Sequence, residues 1–185
     1  MFVTDALARL LPKMPGLPTL DGERNLVRDA WNLLQLVPGG RSLFSRLLGR
    51  LAPYTGSIHP AVIELSTGRA VVAMPDRAKL RNHLQCLHAA ALGNLAELAG
   101  SIALAYSLPD DARFIVAGLE VEYLKKARGT ILATGECQAP RSNAQATCDV
   151  HVTLRDASGE LVARAVVRNV VGPKPGLERE PLDLN

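Results

Sequence analysis

Residues 82–109 read NHLQCLHAAALGNLAELAGSIALAYSLP. The run is long and apolar, and Glu97 is its only Asp, Glu, Lys or Arg. Asn, His, Gln and several small residues interrupt the apolar side chains, so the run reads as a core helix over residues 86–106 and not as a membrane span. What lies on either side decides what covers that helix.

Upstream, AVIEL (61–65) and GRAVVAM (68–74) are short β-rich runs joined through the turn residues STG. Downstream, after PDDA, a second block of strands begins. Ile115, Ala117, Leu119, Val121 and Tyr123 recur at every second position, with Glu120 and Glu122 turned the other way. GTILATGECQA (129–139) follows KKAR. Next, Ala146, Cys148, Val150, Val152 and Leu154 alternate with Thr147, Asp149, His151, Thr153 and Arg155. DASGE marks a hairpin, and Leu161, Ala163, Ala165 and Val167 alternate with residues that include Arg164 and Arg168. Two strands, one long helix and four strands predict an α+β domain, an antiparallel sheet wrapped around a central helix.

The first fifty residues predict helices. Thr4 or Asp5 can cap a short segment to Leu11, and PKMPGLP breaks the chain. Asp21 can cap a helix with Leu26, Ala30, Leu33 and Leu34 at helical spacing, and VPGG ends it. Ser42 can cap a third, with Phe44, Leu47, Leu48 and Leu51 on one face. Trp31 is the only tryptophan and packs an N-terminal helix onto the sheet. The expected organisation is a helical extension over residues 1–54 packed on the domain, the sheet-and-helix domain over 55–173, and an extended tail over 174–185.

Hydrophobic residues make up 48% of the 185 and charged residues 21%, which excludes a disordered chain. The net charge of +3 permits an anionic ligand, but no clustered Lys/Arg block with interleaved aromatics points to nucleic acid. Cys86, Cys137 and Cys148 form no CxxC and read as reduced thiols of a cytoplasmic protein. The N-terminus lacks the apolar run of a signal peptide.

Glu97 carries the chemistry. Burial raises a carboxylate pKa, and an unpaired buried charge costs several kcal/mol. Either it pairs with an Arg on an exposed or interfacial face, or it works as a base or nucleophile in an apolar cleft. At the start of the helix, first-turn N–H groups lack intrahelical partners and the dipole is positive, a setting suited to an oxyanion. His88, Ala89 and Ala90 lie there, with Asn82 just upstream.

At these residues the sequence resembles the hotdog-fold acyl-CoA thioesterases of the phenylacetate-pathway and 4-hydroxybenzoyl-CoA type. That family carries Asn, six residues to His, a Gly-Gly pair, and Asp or Glu nine residues after the His. Asn82, His88 and Glu97 keep this spacing. EYLKKARG (122–129) is similar to the family's third strand and following turn. The resemblance covers residues 55–173 and implies a hotdog fold that hydrolyses an acyl-CoA. It implies Glu97 as base or nucleophile, the Ala89 N–H as oxyanion donor, and Asn82 as an orienter of water or of the carboxylate. It also implies a homodimer or dimer of dimers in which the partner's helix completes the site, and no cofactor apart from the coenzyme A of the substrate. Three departures stand out: Ala89-Ala90 replaces Gly-Gly, Gln85 replaces a Gly midway between Asn and His, and Val116-Ala117 stands where relatives place a third-strand Ser or Thr.

Lys125, Lys126 and Arg128 are either a solvated turn or a contact for coenzyme A phosphates. Arg141, Arg164 and Arg168 can pair with Glu120 or Glu122 or reach a nucleotide. His83, His88 and Glu97 lack metal-ligand spacing, and neither GxSxG nor a P-loop is present. Two other readings remain open: a non-catalytic acyl-CoA or lipid-binding module, and an interaction protein whose Glu97 holds a dimer.

Overall fold

The computed structural model describes residues 24–175. Three helices lead in: α1 (Leu26–Leu34), α2 (Gly40–Leu51) and the single turn α3 (Pro53–Gly56). Strands β1 (Ala61–Ser66) and β2 (Arg69–Met74) precede the long helix α4 (Ala89–Ser107). Then come β3 (Ala112–Tyr123), β4 (Ile131–Glu136), β5 (Ala146–Arg155) and β6 (Leu161–Pro173). The six strands form one antiparallel sheet in the order β1-β2-β4-β5-β6-β3. All six touch α4. This is the sheet wrapped around a helix that the hotdog resemblance implies.

α4 is long and apolar enough to cross a bilayer, yet 14 of its 19 residues are buried inside the protein. Its closest approach to the sheet is made by glycine. A Cβ on Gly100 would lie 2.7 Å from Val167 Cγ2, and one on Gly135 would lie 2.6 Å from the Ala99 carbonyl oxygen. Both contacts are too short for a side chain, so the two glycines let helix and strands meet. The core then closes with Leu95, Ala96 and Leu104 from α4 against Val72, Met74, Ile131, Val152 and Leu154.

Several boundaries differ from expectation. α4 starts at Ala89 and not at Cys86, because residues 82–88 form a knotted turn (described below) and His88 is the N-cap. α2 is not capped by Ser42: Gly39 at φ 76° turns the chain and the helix opens at Gly40. A Cβ on Gly40 would overlap the Leu34 carbonyl oxygen at 1.8 Å, so this pair of glycines lets α2 follow α1 directly. α1 is capped by Asn25, whose Oδ1 accepts from the Arg28 N–H at 3.0 Å. Asp21, the segment from Thr4 to Leu11 and the tail beyond residue 175 lie outside the described residues. Lys174, placed in the loose tail by sequence, is buried with Nζ donating to the Arg24 carbonyl at 2.9 Å.

The apolar faces were also misplaced in part. Leu33 is 68% exposed, and α1 packs instead through Val27, Ala30, Trp31 and Leu34. Leu47 is exposed on α2, while Phe44 and Leu48 pack inward. Trp31 is buried, meets Phe44 edge-on at 5.2 Å and has Arg41 over its ring, so it anchors α1 to α2 and not directly to the sheet.

The largest correction concerns β3. A bulge between Val116 and Gly118 shifts its pairing with β6, so the alternation changes phase midway. Ala112, Phe114 and Val116 share a face with Pro173, Val171 and Asn169, and after the bulge Leu119, Val121 and Tyr123 share it with Val167, Ala165 and Ala163. Ile115 and Ala117, expected on that face, turn outward.

Candidate active site

The residues singled out at the N-terminal end of α4 form one knotted structure. The Asn82 side chain accepts from the Leu84 N–H at 2.9 Å and from the Cys86 thiol at 3.3 Å, and its N–H donates to the Cys86 carbonyl. Asn82 Oδ1 is thereby engaged in holding this loop. Gln85 sits in the turn at φ 52°, the left-handed region that favours glycine. That explains the Gly this position carries in the resembled family.

His88 Nδ1 accepts from the Ala90 N–H at 3.0 Å, and the His88 carbonyl takes the N–H groups of Ala91 and Leu92. Nδ1 is thereby unprotonated in this arrangement. Of the first-turn donors, the Ala89 N–H alone has no partner among the described residues, and it is exposed. Tyr123 donates to the Ala89 carbonyl at 3.0 Å and ties the end of β3 to this turn. Neither Ala89 nor Ala90 needs a left-handed backbone, so alanine fits where Gly-Gly was expected.

Glu97 lies eight residues further on, about 12 Å along the axis, so one protomer does not bring it to the Ala89 N–H. Its side chain is half-buried on the wall of a cavity between α1, α2, α4 and the start of β3. Burial lifts its pKa above the ordinary carboxylate range, and a hydrogen bond from the Ser101 hydroxyl to Oε1, 3.0 Å, partly offsets this. Arg24, Arg113 and Lys174 line the same cavity. Ser101 was missed in the sequence reading. Its hydroxyl sits one helical turn after the carboxylate, while Val116 and Ala117 occupy the third-strand position where the resembled family carries a Ser or Thr.

The basic turn divides. Lys125 is ion-paired with Glu160. Lys126 and Arg128 make no ion pair among the described residues, and their loop is stitched to residues 76–88: Gly129 N–H donates to Asp76 at 2.9 Å and Leu87 N–H to the Ala127 carbonyl at 2.9 Å. Asp76 also holds Arg81 at 2.7 Å, and that hydrogen bond is the main cause of its lowered pKa. Exposed Arg77 and Lys79 join Lys126 and Arg128 on these two loops beside the start of α4. The cations of PDRAKLR (75–81) were the available signal for them. Arg164 pairs with Glu122 at 2.6 Å, and Arg168 with Asp149 and, more loosely, Glu120.

A family model described as Domain of unknown function (DUF4442) matches residues 40–171. The chain belongs to this family. Among solved structures, the structural-genomics protein APC5556 is 32% identical, with 80% of this chain and 99% of that one covered and a TM-score of 0.70. PA5026 from Pseudomonas aeruginosa, described as a probable thioesterase, is 22% identical over 74% of this chain and 97% of its own, with a TM-score of 0.64. The PaaI protein of the E. coli phenylacetic acid degradation operon is 18% identical over 68% and 88%, with a TM-score of 0.57. The likeness to PA5026 and PaaI places this DUF4442 chain in the hotdog fold. No functionally curated protein matches it.

Proposed function

We propose that this protein hydrolyses an acyl-CoA thioester to the free acid and coenzyme A. The observation that carries the reading is Glu97, a carboxylate with a raised pKa on the wall of an apolar cavity, steadied at Oε1 by Ser101. That bond leaves Oε2 for a water molecule. Glu97 takes a proton from the water as its oxygen attacks the thioester carbon, and the carbonyl electron pair moves onto oxygen. The intermediate then collapses, expelling the coenzyme A thiolate, which picks up a proton.

The oxyanion needs a donor that one protomer cannot place beside Glu97. Ala89, Gly93, Glu97 and Ser101 follow at intervals of four, on one stripe of α4. A partner's α4 running antiparallel, with its position 93 level with this one, would set residue 97 of one helix level with residue 89 of the other; Gly93 is itself buried, so the helices do not touch there. We therefore assign the oxyanion site to the Ala89 N–H of the partner subunit in a two-fold homodimer. The long edge strand β3 supports this, since its outer edge is unpaired among the described residues and large apolar side chains stand exposed on both of its faces, Ile115 on one and Leu119 and Tyr123 on the other. Lys126, Arg128, Arg77 and Lys79, beside the helix start, would take the coenzyme A phosphates. The free thiols, with Cys137 pushed up to about 11 by burial, suit a reducing cytoplasm.

The test is thiol release from short, long and aromatic acyl-CoAs by wild type, Glu97→Gln and Ser101→Ala, with oligomeric state checked in each. The reading expects release by wild type, a loss of about 100-fold or more in kcat for a folded Glu97→Gln, and a smaller loss for Ser101→Ala. Equal rates for wild type and Glu97→Gln would remove Glu97 from the chemistry. No release from any thioester would leave a binding module.

A further inference from the structure

The cavity behind Glu97 lies between α4 and the N-terminal helices. Its α4 wall is Glu97, Leu98, Ser101, Ile102, Ala105 and Leu108, one face of the helix over about 16 Å. Opposite stand residues of the N-terminal helices: Leu26 and Val27 of α1, and Leu48 and Leu51 of α2, with Phe114 of β3 at the side. At the far end, Asn25 bolts α1 to α4 by donating to the Ala105 and Leu108 carbonyls at 2.7 and 3.0 Å, and Arg28 donates to the Leu108 carbonyl at 3.1 Å. Glu97 and Ser101 stand at one end, Arg24, Arg113 and Lys174 also line the cavity, and its surface is otherwise largely apolar.

We propose that this cavity is the acyl-group pocket, and that α1 and α2 restrict the substrate to acyl groups of about six carbons or fewer. The proposal rests on the thioesterase reading and adds the substrate class to it. Size decides the limit. The cavity measures about 120 Å³, and a cavity of about 150 Å³ lined by Leu, Ile and Phe holds one benzene ring. Pockets that enclose a whole drug-sized ligand run to at least about 300 Å³, so the nucleotide stays outside and only the acyl tail enters. With the carbonyl at Glu97, a six-carbon tail reaches about as far as Ile102, five residues and about 7.5 Å along α4, short of the end where Asn25 joins the two helices.

Two variants test the limit from opposite sides. Ala105→Leu fills the deep end, and Leu51→Ala widens a wall that is already half-exposed. Thiol release is measured on acetyl-, butyryl-, hexanoyl-, octanoyl-, decanoyl- and benzoyl-CoA, with folding checked by thermal melting. Calorimetric titration with the non-hydrolysable thioether of hexanoyl-CoA runs alongside. Wild type is expected to show its highest kcat/KM at about four to six carbons and a drop of at least about 10-fold at decanoyl. Ala105→Leu should move the maximum towards acetyl and weaken thioether binding about 10-fold, and Leu51→Ala should move the maximum towards octanoyl. A flat profile that neither variant alters, with hydrolysis intact, overturns the pocket and leaves the thioesterase reading standing. Thioether binding that weakens in Ala105→Leu, with no hydrolysis of any ester, keeps the pocket and overturns the thioesterase reading. Neither binding nor hydrolysis overturns both. Should Ala105→Leu fail to fold, Leu51→Ala decides alone, and an unmoved maximum refutes the limit.

Discussion

Asn25 is the residue on which the placement of α1 depends, and removing its side chain is expected to cost about 3 kcal/mol. Its two ends do different work. Oδ1 caps α1 through the Arg28 N–H, and Nδ2 donates to the carbonyls of Ala105 and Leu108 at the C-terminal end of α4. The Ala105 carbonyl is the needy one. Its helical partner four residues on is Pro109, which has no N–H. The Leu108 carbonyl keeps a donor in Arg28 when Asn25 is lost. Loss of an N-cap costs about 1 kcal/mol, and a carbonyl orphaned in a buried setting costs about 1–3 kcal/mol; Asn25 itself is only 7% exposed. At a urea m-value of about 2 kcal/mol/M, Asn25→Ala should lower the unfolding midpoint by about 1.5 M. Asn25→Asp separates the two ends, because it retains the cap oxygen but turns a second oxygen towards the Ala105 carbonyl. It should lose about 2 kcal/mol or more at pH 8. An Asn25→Asp variant within about 0.5 kcal/mol of wild type would refute the reasoning, since the bolt to α4 would then contribute nothing.

Three further outcomes follow from the same geometry. Burial keeps Glu97 protonated to higher pH in the native state than in the unfolded chain, so between the two pKa values the native state binds more protons and stability falls as pH rises; Glu97→Gln should therefore melt higher than wild type at pH 8, with the advantage fading towards pH 4. A lower melting temperature at pH 8 would show instead that the ionised carboxylate is held by a cation. Gly100→Ala places a Cβ against Val167 and should cost about 1–3 kcal/mol, and adding Val167→Ala in a double-mutant cycle should recover about half; no recovery would put the strain elsewhere. Gln85→Gly should gain about 0.5–1 kcal/mol by relieving the left-handed turn, and a loss in denaturant titration would mean that the Gln85 side chain contributes contacts that outweigh the strain.

The order of elements was legible because strand alternation and helix composition are local. What failed was phase and boundary, where tertiary contacts decide. The β3 pattern of Ile115, Ala117, Leu119, Val121 and Tyr123 fits one unbroken strand, and nothing in those five residues announces a bulge. The neighbouring Gly118 is the one cue, being the residue that pairs with Arg168 just past the shift. The bulge has a consequence at the site. It leaves Phe114 on the helix side, where it lines the cavity, and still brings Tyr123 to the same side, where it reaches the Ala89 carbonyl. An unbroken alternation would keep only one of these two side chains on the helix side of the sheet.

The site shows the same division between what is local and what is not. The spacing of Asn82, His88 and Glu97 picked out one helix and its entry turn, and a charged residue on an apolar helix declares its own importance. Ser101 was legible by the same rule, since ELAGS puts two polar side chains four apart on an otherwise apolar face. The part Asn82 plays in the loop was not legible. Its spacing to His88 does not say which way its amide faces, and the structure turns the carbonyl oxygen into the loop, onto Leu84 and Cys86. The separation of Glu97 from the Ala89 N–H, by contrast, follows from the sequence once both lie on one helix. A rigid rise of about 1.5 Å per residue cannot fold them together, so a reaction that uses both groups at one carbonyl requires a second copy of α4. The catalytic reading and the dimer therefore stand or fall as one: a variant of β3 such as Leu119→Lys that yields a folded monomer should lose thiol release with Glu97 and Ser101 intact, and a fully active monomer would mean that the oxyanion donor is not Ala89.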